Sequence, residues 1–309
     1  MTKKDIAEMV NRDPFAPVRL TQFMDNGIPT DKVYIQIQKE DDQGWAVPTG
    51  TAIVHGKDYR LISNQQMHDM MMSVIDEVKK DNGVEFEPLP SPGSMASSLV
   101  WNGKAYRERW FSRDVKVKTP AGGEVMLGIE CRNSYDKTSR AQLAFFAMHC
   151  VCQNQFHSRN LFGTPFSTAH VGADGELEEL DEAVKMVAAE AANFGKILPK
   201  IENLCNAHLF TMNDYLDFLD DCEAKTGLVV NDAKLRKELR GDGCTKLIKG
   251  LNVDYSQYGD RDSLWALTNA FTALTTHELP GITGAEKSAR FVDFAIDFAE
   301  KLVANTIEV

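Results

Sequence analysis

Hydrophobic and polar positions change their period several times along this chain. Over residues 31–40, Val33, Ile35 and Ile37 alternate with Tyr34, Gln36 and Gln38, a period of two that predicts a half-buried strand. A second strand is expected around 45–54, at an edge or bulged because Pro48 and Gly50 interrupt it. From Asn64 the period becomes helical. Met67, Met70, Met71, Val74, Ile75 and Val78 share one face of an amphipathic helix over 64–81, with Asn64 as N-cap and Gly83 just past its end. The methionines read as core at this spacing. Residues 84–95, with three prolines and a glycine, read as a loop.

Asn102-Gly103 between two strand-like runs is a type I′ hairpin signature. Centring the turn there pairs Leu99 with Tyr106, Trp101 with Lys104, Ser98 with Arg107 and Ala96 with Arg109. Leu99, Trp101, Tyr106 and Trp110 then form an apolar face. Arg107, Arg109, Phe111 and Arg113 form the other, opposite small residues that leave it open, and Lys116 and Lys118 extend the basic run. Val125, Leu127, Ile129 and Cys131 alternate in the next strand. Residues 141–151 are apolar on both faces, as in a covered central strand.

Beyond about residue 176 the periodicity is helical. Leu180, Val184, Val187, Ala191, Phe194, Leu198 and Ile201 follow heptad steps, a packing seam or marginal coiled coil that Pro199 should kink or end. Further helices are expected at 231–240, 261–278 and 284–304, the last opened by a Thr283-x-x-Glu286 capping box. The fold class expected is α+β: an antiparallel β-rich N-terminal half with a packed helix, then a helical C-terminal half. The expected division is a basic-centred sheet domain over 1–165 and an acidic helical subdomain over 176–309.

Charge sharpens this division. Residues 100–160 hold 10 basic and 5 acidic side chains. Residues 1–99 hold 10 and 15, and residues 161–309 hold 14 and 25, within a chain of formal charge −11. A basic segment in an acidic chain is the footprint of a polyanion site, or of arginines paired with acidic helices. No run of about 18 apolar residues and no signal-peptide core at the N-terminus point to a chain kept in the cytoplasm, and six irregularly spaced cysteines fit free thiols there.

Candidate chemistry is sparse. Cys131, His149, Cys150, Cys152, His157 and His170 invite a zinc site, but Cys-x-Cys in a strand lacks the turn that wraps the ion, so no metal is expected. No phosphate-binding glycine loop, nucleophile elbow or zinc-protease helix motif occurs, so no cofactor and no enzyme are expected. An enzyme without a legible motif stays open as an alternative.

The runs GIECRNSYDKTS at 128–139, CVCQNQ at 150–155 and LWALTNAFTALTTH at 264–277 resemble a phage- and plasmid-type family catalogued as a domain of unknown function. Ile28-Pro29, a Tyr59 strand and the Asn64 helix fit the same order. Lys137 stands where a small residue is common, and Gln155 replaces the usual small residue after Asn154. The resemblance implies a phage or mobile-element origin and the bacterial host cytoplasm. A more distant similarity, at the level of fold, links such cores to single-strand annealing recombination proteins, which bind DNA in a basic groove and form rings. It implies single-stranded DNA as partner, a homo-oligomer, and a role in DNA recombination or repair. The candidate nucleic-acid-binding residues are Arg107, Arg109, Phe111, Arg113, Lys116, Lys118, Arg132, Tyr135, Lys137 and Arg140: basic groups for phosphates, with rings for stacking. The alternative is an assembly or host-interaction protein without DNA contact.

Overall fold

The computed structural model describes residues 14–40, 46–56, 58–88, 99–101, 105–120, 123–137, 139–149, 154–162, 166–168, 184–185, 187–189, 191, 194–209, 212–230, 234–235, 263–277 and 281–307. The protein is α+β, with antiparallel sheets in its N-terminal half and helices after them.

A three-stranded sheet comes first, in the order β1 (Val18–Asp25), β2 (Ile28–Glu40) and β3 (Ala46–Gly56). Its first turn is Asn26-Gly27, where both residues take positive φ (50° and 81°) between the paired Asp25 and Ile28. Positive φ at both positions matches the twist of the flanking strands. As expected, β3 is an edge strand with irregular register, shifting between Tyr34 and Gln36 and between Ile37 and Gln38.

Helix α1 (Asn64–Asn82) buries Met67, Met70, Met71, Val74, Ile75 and Val78, and ends at Gly83 with φ of 68°. Its cap lies one residue earlier than expected. Ser63 Oγ accepts from Gln66 N at 3.1 Å, and Ser63 N donates to Gln66 Oε1 at 2.8 Å, a reciprocal capping box. Asn64 is a buried joint instead. Its Nδ2 donates to Pro14 O (2.8 Å), its Oδ1 accepts from Asn133 (3.0 Å) and its N donates to the Tyr135 hydroxyl (3.1 Å).

The second sheet has seven strands: β4 (Glu87–Pro88), β5 (Leu99–Trp101), β6 (Ala105–Lys118), β7 (Glu124–Ser134), β8 (Ala141–His149), β9 (Gln155–Phe156) and β10 (Phe166–Thr168). Their order is β10-β8-β7-β6-β4, with β5 also on β6 and β9 also on β8. The β5–β6 register differs from the expectation by two residues: Leu99 faces Glu108, Val100 faces Arg107 and Trp101 faces Tyr106. A shift of two preserves which side chains share a face. The pairings expected at Ser98, Ala96 and Lys104, and the Asn102-Gly103 turn, lie outside the described residues.

Further helices among the described residues are α2 (Arg159–Phe162), α3 (Ile197–Asn206), α4 (Met212–Thr226), α5 (Leu264–His277) and α6 (Gly281–Ile307). The heptad run is broken before Pro199, by a 3₁₀ turn at Phe194–Lys196. Pro199 sits in the first turn of α3, where its missing N–H removes no helical bond. Val187, Ala191, Phe194 and Ile201 are buried within the chain's own core, so this seam packs internally. Helix α6 begins at Gly281, ahead of the expected Thr283 cap. Of the helix expected at 231–240, only residues 234–235 are described.

One hydrophobic cluster joins both halves. It holds the buried face of α1, Leu127, Ile129 and Cys131 of β7, and Trp265, Phe271, Phe291 and Ala295 of the last helices. Phe156 stacks on Trp265 with centroids 5.2 Å apart. No helix among the described residues is long and apolar enough to cross a membrane.

Candidate functional site

Alternation along β6, β7 and β8 sends two sets of side chains to opposite sides of the large sheet. One set (Tyr106, Ile129, Cys131, Leu143, Phe145) joins the main core. The other places Arg107 and Arg109 beside Glu130 and Arg132, with Gln142 beyond them on β8.

That second face is not open. Arg107, Arg109 and Arg132 are buried, Arg109 to 0% exposure, and so is Phe111, which packs with Met126, Phe146 and Met148. Glu130, itself 1% exposed, sits among the arginines. Arg107 bonds its carboxylate through Nε and Nη2, and Arg132 Nε lies 2.9 Å from Oε1. Arg107 Nη2 also donates to Gln155 Oε1 at 2.9 Å, and Arg132 Nη2 donates to Gln142 Oε1. The register puts Arg107 opposite Arg132, a like-charge pair that Glu130 separates from two residues along β7. Arg107 and Arg132 thus find a carboxylate within the sheet itself, on Glu130.

Burial and charge compete here. Burial opposes ionisation of Glu130, yet Arg107, Arg132 and Arg109 outweigh it and hold the carboxyl well below its ordinary range. Burial pulls Arg109 down to about 9, with Arg107 adding to the effect, and keeps His157 neutral.

The remaining expected site residues are scattered. Arg113 is exposed and pairs with Glu87, while Lys116 lies 4.0 Å from Glu124. Lys118 is exposed at the end of β6. Tyr135 is buried at the Asn64 joint, with its hydroxyl pushed up to about 12 by burial. Lys137 is exposed and lies over the Tyr59 ring at 5.3 Å. The groove expected from all ten residues does not form, because strand alternation and burial separate them.

Arg132 and Arg140 do converge, on a cavity of about 550 Å³ between the β8 end of the sheet and α6. Arg159 of α2 and Arg290 of α6 complete its lining. Arg140, Arg159 and Arg290 are exposed at the rim, and none makes an ion pair among the described residues. Two carboxylates also line it. Asp293 is already engaged, accepting from Ser158 Oγ (2.5 Å) and Asn160 N (3.1 Å), which docks α2 against α6. Glu286 is exposed at the rim. Arg159 and Arg290 carried no motif. Each reaches the cavity only because α2 and α6 fold over the end of β8, which no local pattern announces.

A second polar constellation lies on the core side. Glu108 accepts from Trp110 Nε1 (2.8 Å) and from the Tyr106 hydroxyl, and it sits 2.8 Å from His68 Nδ1. Three partners satisfy this carboxylate at the margin of the core. Cys131 is buried nearby, with its thiol pushed up by burial, so it is an inert packing residue. Cys150, Cys152 and His170 lie outside the described residues, and among the described residues no three potential ligands are grouped to hold a metal.

No family model, curated protein or solved structure matches the chain.

Proposed function

We propose that this protein binds single-stranded nucleic acid and that the arginine-rimmed cavity is where it meets phosphate. The observation that carries the reading is the convergence of Arg132, Arg140, Arg159 and Arg290 on one cavity, three of them at the rim without an ion pair among the described residues. Guanidinium groups match phosphate oxygens in charge and geometry. In a chain of formal charge −11, local excess at a concave site is what attracts a polyanion. The distant likeness to annealing proteins points the same way.

The test is a titration of wild-type protein with a fluorescent single-stranded oligonucleotide at low salt. Sequence-tolerant binding that weakens steeply with salt is expected, since each neutralised phosphate releases counterions. No detectable affinity ends this reading. Annealing, beyond binding, also calls for a multimer. A strict monomer by light scattering with DNA present removes annealing and leaves binding.

If nucleic acid does not bind, the assembly reading takes its place. Its support is the apolar tip of the β1–β2 hairpin, where Met24 is 51% and Ile28 68% exposed.

A further inference from the structure

We propose that the cavity floor is a receptor for a terminal phosphomonoester, so that the protein holds a nucleotide by its phosphate end and prefers phosphorylated strand ends to internal phosphodiesters. This rests on the nucleic-acid reading and narrows it.

The floor is Arg132, 4% exposed and fixed on β7. Its Nε faces Glu130 at 2.9 Å and its Nη2 is taken by Gln142. The third nitrogen, Nη1, is buried and has no hydrogen-bond partner. A buried donor left unmade is costly, more so on a charged group. The internal network therefore occupies two sides of this guanidinium and leaves one over, on a residue that lines the cavity. An anionic oxygen is the acceptor that best satisfies it.

The shape of the site selects the kind of phosphate. An internal phosphodiester carries chain on two of its oxygens, so both flanking segments would have to enter with it to reach a buried floor. A terminal phosphomonoester hangs from a single bond and approaches two negative charges near neutral pH. It can descend past Arg140, Arg159 and Arg290 while the nucleoside stays near the rim. At about 550 Å³ the cavity falls in the range of small-ligand pockets.

Competitive anisotropy tests this with four ligands: a short single strand bearing a 5′-phosphate, the same strand with a 3′-phosphate, the strand with both ends hydroxyl, and a nucleoside monophosphate alone. At least one phosphorylated strand is expected to bind ten-fold or more tightly than the hydroxyl-ended strand, and the monophosphate should displace it. Arg132→Gln should abolish the end preference, while Arg113→Ala leaves it intact. Should Arg132→Gln lose its cooperative thermal transition, Arg159→Ala/Arg290→Ala at the exposed rim carries the test, with a ten-fold loss for the phosphorylated end. Equal affinity for all three strands overturns the inference but leaves single-strand binding standing. Displacement of a labelled monophosphate without any strand binding overturns the nucleic-acid reading while the phosphomonoester floor holds. No binding of any ligand sinks both.

Discussion

The two faces of the seven-stranded sheet are both buried, yet they are built from different chemistry. One packs Leu127, Ile129 and Cys131 into the main core, and its carboxylate, Glu108, sits at the margin among three partners. The other buries Arg107, Arg109 and Arg132 around Glu130. The apolar face is held by removal of area from water and tolerates changes in proportion to the volume lost. The charged face is held by a single shared carboxylate. Each ion is tolerated only while its counter-ion remains, so one neutralisation strands the others.

Removing that carboxylate should have the largest effect. Glu130→Gln leaves three buried arginines without their carboxylate and should cost about 3–5 kcal/mol, read as a lowered urea midpoint. Replacing Arg107, Glu130 and Arg132 together by Met, Leu and Met is the sharper experiment. Removing Glu130 with its two bonded arginines should cost less than Glu130→Gln alone, because one buried arginine, Arg109, is then left without the carboxylate instead of three. A triple variant less stable than the single one would mean the ions stabilise the sheet outright.

On the apolar face, Leu127→Ala should cost about 2–5 kcal/mol by cavity formation, with no dependence on pH. Acid should act on both faces through buried histidines, His149 opposite Val125 on the apolar face and His157 beside Arg107 on the charged one. Burial lowers His149 to about 4 and also lowers His157, so both are neutral in the folded state. The unfolded chain takes up these protons near the ordinary imidazole value of about 6.5. Stability should therefore fall as pH drops from about 6.5 towards 4. For His149 alone the loss is on the order of 3 kcal/mol. Glu130 adds a further loss below the ordinary carboxylate range, as pH falls towards its depressed folded value. His149→Gln/His157→Gln should flatten the upper part of this profile and leave the lower part. The smallest effect belongs to the cap: Ser63→Ala should cost about 1 kcal/mol, whereas Asn64→Ala should cost more by breaking the joint to Asn133, Tyr135 and Pro14.

Much of this sheet is legible in its alternation. Periodicity assigns Tyr106 and Ile129 to one face and Arg107 and Arg109 to the other, and it survives a register error of two. What it does not contain is burial. An arginine at every second position reads as a solvent face, and only the glutamate two residues before Arg132 on the neighbouring strand hinted otherwise. The Asn26-Gly27 turn carries the same dipeptide signal as Asn102-Gly103, but a strand at 18–25 with polar residues on both sides of it escapes pattern reading. Helix α4, rich in acidic residues, escapes for the same reason. The cavity was half legible: Arg132 and Arg140 lie in the basic segment, whereas Arg159 and Arg290 are brought to it by long-range folding.

The central claim is that Arg107 and Arg109 are structural and the cavity arginines meet the ligand, and the salt dependence of the triple variant Arg140→Ala/Arg159→Ala/Arg290→Ala tests it most directly. These side chains are exposed, so the variant should fold normally while its affinity for single-stranded DNA falls across all sequences. Its log–log salt slope should be shallower than that of wild type by about 2, since each phosphate no longer neutralised removes roughly 0.7 from the slope. Wild-type affinity with an unchanged slope would place the phosphate-binding surface elsewhere and contradict the account.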